Sequence, residues 1–170
     1  MRYGLIGNFK RSWNKIGKRT TMAHSIGYVN RYLYTAISPM DGDVFNILGF
    51  DDASTKETDI FLEQLKIAFP NNHLVVIWDN APFHKPKILH EKENISIVYL
   101  PSYGQELNPV ERYFGEMRKF TANQTFDNIE TIETALTNGV LTWENDPEKV
   151  KQLTCWDWIE EQIKELYLLF

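Results

Sequence analysis

Apolar and polar residues follow one another along the first half of the chain in patterns typical of a hairpin and a helix. β-Branched and aromatic residues dominate 22–38 and 43–50, and the Pro-Met-Asp-Gly turn signal between them predicts an antiparallel hairpin. Ser54 and Glu57 have the spacing of a capping box. Apolar residues then recur at helical spacing, which predicts a helix over 55–69.

The middle of the chain contains an unbroken apolar run, Leu74–Trp78, that is rich in β-branched residues. Such a run predicts a strand buried on both faces, as in the middle of a parallel or mixed sheet. We expect a short helix over 86–93 and another strand over 95–100, which Pro101 stops. Asn108 and the proline after it then predict the start of a helix, because Asn is a good N-cap and Pro suits the first helical position.

Beyond Gln124 the pattern is helical to the end of the chain. It predicts one helix over 127–143 and a second that starts after Pro147 and continues through Leu166. The order of strands and helices predicts an α/β fold with a mixed sheet. The sequence has no internal repeat or linker, so we expect a single domain over 1–170 that includes a C-terminal helical part over 126–170.

Composition excludes several classes of protein. A chain of 170 residues with 43% hydrophobic and 24% charged residues is ordinary for one soluble domain with a real core. No apolar run approaches the roughly 18 residues that a membrane span needs. The single cysteine, Cys155, rules out an internal disulfide, so we expect a reducing, cytoplasmic setting.

The net charge of −5 hides a division along the chain. Residues 1–40 contain no acidic residue and carry +7, so the remainder carries −12. Basic residues interleaved with aromatic ones over 1–21 are typical of an arm that contacts phosphates and exposed bases. The candidate DNA-binding residues are Lys10, Arg11, Lys15, Lys18 and Arg19. A solvated basic hairpin, with Trp13 packed against the body of the domain, fits the same residues.

Two carboxylates, Asp79 and Glu111, stand out as candidate metal ligands. Asp79 directly follows a predicted buried strand, where open α/β sheets bind ligands, although it could also cap the next turn. Glu111 falls at the third position of a predicted helix, where it could either cap the helix or bind a cation. Mg²⁺ takes oxygen ligands from a few carboxylates, waters and substrate phosphates. His84 is near Asp79 in sequence and could approach a phosphate or a metal-bound water.

The motifs around these carboxylates resemble the catalytic core of the mariner-like superfamily. The matching stretches are V-V-I-W-D-N-A-P-F-H-K and I-V-Y-L-P-S-Y-G-Q-E-L-N-P-V-E-R, with 31 residues between Asp79 and Glu111. They are most similar to bacterial insertion-sequence transposases. One departure is Gly104-Gln105, where that family more often has Ser-Pro. This difference changes a loop and no ligand.

The resemblance implies a ribonuclease-H-like mixed sheet flanked by helices, dependence on Mg²⁺ or Mn²⁺, and cut-and-paste strand transfer at the terminal repeats of a DNA element. Asp79 would be the second acidic ligand and Glu111 the third, with Asn80, His84 and Asn108 lining the site.

The same resemblance implies that the family's first catalytic aspartate would fall just before Met1. Residues 2–5 resemble the residues that come after the D-E-S/A-R-like tetrad at the end of the family's first strand. Our hypothesis is that the chain is a fragment without its first strand, inactive alone, that self-associates or needs an upstream transposase segment. Other aspartates are alternative replacements: Asp41, Asp43, Asp51, Asp52 and Asp59. The alternative function is a non-enzymatic DNA-binding or transposase-interacting remnant.

Overall fold

A computed structural model describes most of the chain. The described residues are 1–5, 13–18, 27–79, 92–102 and 104–167. Several predicted features lie outside them, namely Lys10, Arg11, Arg19, Asn80, His84 and most of the helix expected over 86–93. No helix among the described residues is long and apolar enough to cross a membrane.

Five strands form two sheets. Strands β1 (Arg2–Gly4), β2 (Asn30–Ile37) and β3 (Val44–Phe50) form an antiparallel sheet in that order. Strands β4 (Leu74–Trp78) and β5 (Ile95–Tyr99) form a parallel pair. The predicted hairpin is therefore confirmed as β2 and β3, and the strand predicted over 95–100 is confirmed as β5.

Five helices and one short turn of 3₁₀-helix complete the described part of the fold. They are α1 (Thr55–Ala68), the 3₁₀ turn Gln105–Leu107, α2 (Val110–Met117), α3 (Ile129–Glu144), α4 (Pro147–Thr154) and α5 (Asp157–Tyr167). The predicted capping box of α1 is only partly present, because the Ser54 hydroxyl donates to the Glu57 carboxylate and makes no side-chain hydrogen bond to the helix backbone.

The expectation of one helix from Pro147 to Leu166 is wrong. The chain leaves α4 at Cys155, whose backbone angles of −96° and 88° are not helical. This break brings Trp156 against α2, where the guanidinium carbon of Arg112 lies 3.1 Å from the ring centroid of Trp156. Local periodicity alone predicts one continuous helix. Packing of Trp156 against α2 instead goes with a break in the helix at Cys155.

The first described residues contain β1, which pairs antiparallel with β2. Met1 and Leu33 exchange backbone hydrogen bonds: the Met1 amine donates to the Leu33 carbonyl, and the Leu33 N–H donates to the Met1 carbonyl at 2.8 Å. The Tyr3 hydroxyl donates to Oε1 of Glu133 at 2.8 Å, and Nη1 of Arg31 lies 2.9 Å from the same oxygen. These contacts join β1 and β2 to α3.

The predicted α/β fold with both antiparallel and parallel strand pairs is confirmed, although the described strands lie in two sheets. Among the described residues no strand joins the β1–β2–β3 sheet to the β4–β5 pair. The expectation that β4 is buried on both faces is wrong, since Ile77 is 41% exposed.

Both faces of the β1–β2–β3 sheet pack against helices. Alternate residues of a strand point to opposite faces, and Leu33 accordingly joins a core with α2, α3 and α4, while Tyr34 and Ala36 join a second core with α1. The ring centroid of Phe61 on α1 lies 5.4 Å from Tyr34 of β2 and 6.4 Å from Trp78 of β4. One helix therefore packs against both sheets.

The turn between β2 and β3 requires glycine for two reasons. Gly42 has a φ of +79°, and a Cβ atom added there would lie 2.2 Å from the Pro147 carbonyl oxygen. We expect Gly42→Ala to lower the free energy of unfolding by about 1–3 kcal/mol, because it strains the backbone and pushes the hairpin away from α4. Urea denaturation would measure the change.

Gly115 provides the matched control in α2. A Cβ added at Gly115 meets nothing within 4 Å. Gly115→Ala should therefore raise the free energy of unfolding by about 0.5–1 kcal/mol, as expected for alanine in a helix interior. Equal effects of the two substitutions would contradict the role given to Gly42.

Candidate active site

Asp79 lies where the parallel pair β4–β5 ends. It directly follows Trp78, the last residue of β4, and its side chain is half-buried. The Leu100 N–H donates to the Trp78 carbonyl at 2.7 Å, which extends the ladder to the carboxyl end of both strands. Ligands of open α/β sheets bind beyond this edge.

Glu111 lies in the first turn of α2, and Asn108 caps that helix. The Asn108 side-chain oxygen accepts from the Val110 N–H at 3.1 Å, and its carbonyl accepts from the Glu111 N–H at 3.1 Å. Pro109 already has helical angles of −60° and −22°. The predicted Asn-Pro helix start is therefore confirmed, and Glu111 lies near the positive end of the helix dipole.

The two carboxylates follow neighbouring parallel strands. Asp79 follows β4 directly, and residues 100–109 carry the chain from the end of β5 to α2, where Glu111 lies. The side chain of Glu111 is 49% exposed, so it can be reached from solvent. Asp79 therefore lies directly after β4, and Glu111 lies in the first α-helix after β5.

Two nitrogen-bearing groups lie near Glu111 that the sequence did not indicate, the Arg118 guanidinium and the Met1 amine. Nη2 of Arg118 lies 4.0 Å from Oε2 of Glu111 on the same face of α2. Burial lowers the pKa of the Met1 amine to about 5, while the nearby Glu111 carboxylate raises this pKa and Arg118 lowers it. The spacing of seven residues between Glu111 and Arg118, two helical turns, was the available signal for the first contact. No local pattern indicated that the Met1 amine lies near Glu111.

A buried tyrosine holds α2 against the sheet. Tyr113 is fully buried, and its hydroxyl accepts from the Asn46 side chain of β3 at 3.2 Å. The Asn46 side chain also donates to Glu144 at 3.0 Å and accepts from Thr35 at 2.6 Å. Burial raises the pKa of Tyr113 to about 12. This network fixes the helix that carries Glu111.

Of the candidate DNA-binding residues, only Lys15 and Lys18 are described, and both are exposed. Trp13 is fully exposed, so the expectation that it packs against the body of the domain is wrong. Asn108 lies within three residues of Glu111 and is half-buried.

The described residues contain no group of three or more His, Cys, Asp or Glu side chains that could hold a metal ion. The chemistry of the two candidate ligands nonetheless fits Mg²⁺, which is commonly bound through one or two carboxylates together with waters and substrate phosphates. Asp79 and Glu111 supply oxygen ligands of this type.

A mixed α/β fold of the ribonuclease-H-like type defines the class of this protein. Residues 2–133 match the family described as DDE superfamily endonuclease, and the chain belongs to that family. The prediction of a DDE-type domain is confirmed by this match.

Solved structures of Mos1 transposase share the fold. The Mos1 strand transfer complex has a TM-score of 0.61 at 16% identity, and the paired-end complex with the left transposon end has 0.58 at 16%. The Mos1 mariner paired-end complex with Mn has a TM-score of 0.56 at 17% identity. Each comparison covers 92% of this chain and 54% of the Mos1 chain. The chain thus spans about half the length of these structures.

A sequence relative comes from Sinorhizobium fredii (strain NBRC 101917 / NGR234), where it is named protein y4pE/y4sA. It is 30% identical over 90 residues, which cover 51% of this chain and 64% of the relative.

The buried Met1 amine predicts a pH dependence of stability for the 170-residue chain. In the unfolded state the amine binds a proton below its ordinary pKa of 8.0, whereas in the folded state it stays neutral down to about 5. The unfolded state therefore binds more protons between these values, so the free energy of unfolding should rise with pH in this window, by at most about 4 kcal/mol. Urea denaturation across the window would measure the slope.

N-terminal acetylation gives the control. It removes the titrating amine but leaves an N–H that can donate to Leu33. The acetylated chain should show a flatter dependence of stability on pH. Identical slopes for the two forms would show that the amine is not buried as described.

Proposed function

We propose that this chain is a catalytic domain for metal-dependent cleavage and transfer of DNA strands at the terminal repeats of a mobile element. Membership of the DDE superfamily endonuclease family supports the reaction class. The observation that supports the proposal most is that Asp79 directly follows β4 and that Glu111 lies in α2, the first α-helix after the neighbouring parallel strand β5. Phosphodiester chemistry with divalent ions requires acidic residues that come together at one site, and we propose that these two carboxylates do so.

Asp79 and Glu111 would hold Mg²⁺ or Mn²⁺ through their carboxylate oxygens. Such an ion, when bound, activates the attacking hydroxyl and stabilises the leaving oxygen of a phosphodiester. Arg118 places a positive charge beside Glu111, where the phosphate of a bound strand would lie. Asn80, His84 and Asn108 remain candidate site-lining residues.

The remaining acidic ligand, which would be the first in chain order, is proposed to come from a segment upstream of Met1. Within the described residues, β1 and Met1 pair with β2 only as far as Leu33, so nothing described continues the ladder beside Tyr34–Ile37 on that side. A strand extended from Met1 would run along this edge, starting from a point close to Glu111. An aspartate on it would complete the set, and we propose that the chain is inactive without it.

The second candidate function is a non-enzymatic remnant that binds DNA or another transposase chain. The observation that favours it is that the described residues contain no group of three or more His, Cys, Asp or Glu side chains that could hold a metal ion. The two functions differ in whether DNA is cut once an upstream aspartate is present.

Strand cleavage of terminal-repeat DNA tests the active site directly. With the chain extended by its upstream segment, we expect Mg²⁺-dependent nicking. Asp79→Asn and Glu111→Gln should each lower the rate by at least about a hundredfold, because each removes a direct ion ligand. Gel assays of labelled DNA would measure the rate.

Glu116→Gln is the matched control on the same helix, since the Glu116 carboxylate pairs with Lys119 at 2.6 Å. It should leave the rate nearly unchanged. Retained nicking by Asp79→Asn or Glu111→Gln would remove that residue from the metal site, and no nicking by the extended chain would favour the remnant.

Open strand edges predict self-association of the 170-residue chain. Unpaired strand edges bind other chains, and charged residues on an edge strand oppose this. We expect sedimentation to show concentration-dependent association that Ile77→Lys on β4 reduces. Ile67→Lys, at an exposed position of α1, should have no such effect. A sharp, reversible, monomeric melt of the unmodified chain would contradict this expectation.

A further inference from the structure

The basic arm contains a tight turn that exposes an apolar tip. The Lys18 N–H donates to the Lys15 carbonyl at 2.9 Å, and Gly17 has a φ of +86°. A hydrogen bond between the first and fourth residues with positive φ at the third defines a type II β-turn, for which glycine is the favoured third residue. Ile16 therefore occupies the second position, between two lysines.

The tip of this turn stands in open space. Ile16 and Trp13 are the two most exposed large apolar residues that the structure describes, and a Cβ added at Gly17 meets nothing within 4 Å. Each of these large apolar side chains is left in water, so a contact that buries both would be favourable. Neither residue contributes to either core.

The positive charge of residues 1–40 indicates which kind of partner the turn over 15–18 binds. Residues 1–40 contain seven basic and no acidic residues, whereas the rest of the chain is acidic. The first and fourth Cα atoms of a β-turn lie within about 7 Å of each other. Successive nucleotides of one strand rise by about 3.4 Å, so Lys15 and Lys18 match phosphates one or two nucleotides apart on one strand.

From these observations we propose that the turn over 15–18 is a DNA-inserting tip, in which Ile16 and Trp13 bury against bases while Lys15 and Lys18 hold the flanking phosphates. This inference rests on the proposed function for its ligand and adds the mode of contact. Apolar side chains that enter a groove partly unstack a base step, and aromatic side chains stack on exposed bases. The acidic body of a second copy of this chain would also attract the two lysines, so the oligomeric state is measured beside DNA binding.

Equilibrium binding to a short mixed-sequence duplex separates the two roles. The duplex carries a terminal fluorophore for anisotropy and 2-aminopurine in place of the adenines of one strand, so that unstacking raises the fluorescence. We expect Ile16→Ser and Trp13→Ser each to lower the affinity about tenfold and to reduce the 2-aminopurine signal at saturation. The slope of affinity against salt should not change, because neither substitution removes a phosphate contact.

Lysine substitutions should give the opposite pattern. Lys15→Gln and Lys18→Gln should each lower the salt slope by about 0.9 and keep the 2-aminopurine signal at saturation. Ile67→Ser and Lys56→Gln, at exposed positions of α1, are the matched controls and should change neither quantity. All these side chains are exposed, so thermal melts of the variants should match that of the parent chain.

Three results would contradict the proposed tip or the proposed function, and they can be told apart. Unchanged DNA affinity in Ile16→Ser and Trp13→Ser, with the DNA-free chain shifted to smaller species in sedimentation, would show that the tip joins copies of the chain. Strand cleavage by the extended chain with unaltered binding by these variants would refute the tip and leave the proposed function standing. An intact 2-aminopurine response without any Mg²⁺-dependent cleavage would refute the proposed function and leave the tip standing.

Discussion

The packing of Phe61 between the two sheets is the contact on which the arrangement of this molecule depends. Its ring lies 5.4 Å from Tyr34, 5.7 Å from Phe45 and 6.4 Å from Trp78, measured between centroids. No described strand connects the sheets, so their relative position depends on the apolar surface that α1 buries against both. Trp78 immediately precedes Asp79. The packing that unites the sheets therefore also places one of the two candidate ligands.

The second carboxylate is positioned by a different core. Tyr113 anchors α2 beneath the β1–β2–β3 sheet through the Asn46 side chain, and Glu111 lies two residues before it on the exposed side of the helix. A buried hydroxyl needs a partner, which ties this helix to one place on β3. The two carboxylates thus lie on elements that separate cores hold, and each core can be examined independently by substitution.

Electrostatics in this molecule is divided between an acidic body and a basic arm. The Arg118–Glu111 pair is largely exposed and 4.0 Å apart, and exposed pairs of this kind contribute little to stability. It can therefore rearrange at small cost when a cation or a phosphate arrives. The arm differs in having no carboxylate over residues 1–40 to neutralise it, which leaves its lysines available to a polyanion.

The sequence alone determined what depends on neighbours along the chain. Helix α1, the β2–β3 hairpin, strands β4 and β5, the Asn108 cap and the family motifs follow from periodicity, capping and turn chemistry, which are local. Tertiary structure decided the Met1–Leu33 pairing, the division into two sheets, the exposure of Ile77 and Trp13, and the break before Trp156. Each of these results from contacts, or their absence, between residues distant in sequence, which no local pattern encodes.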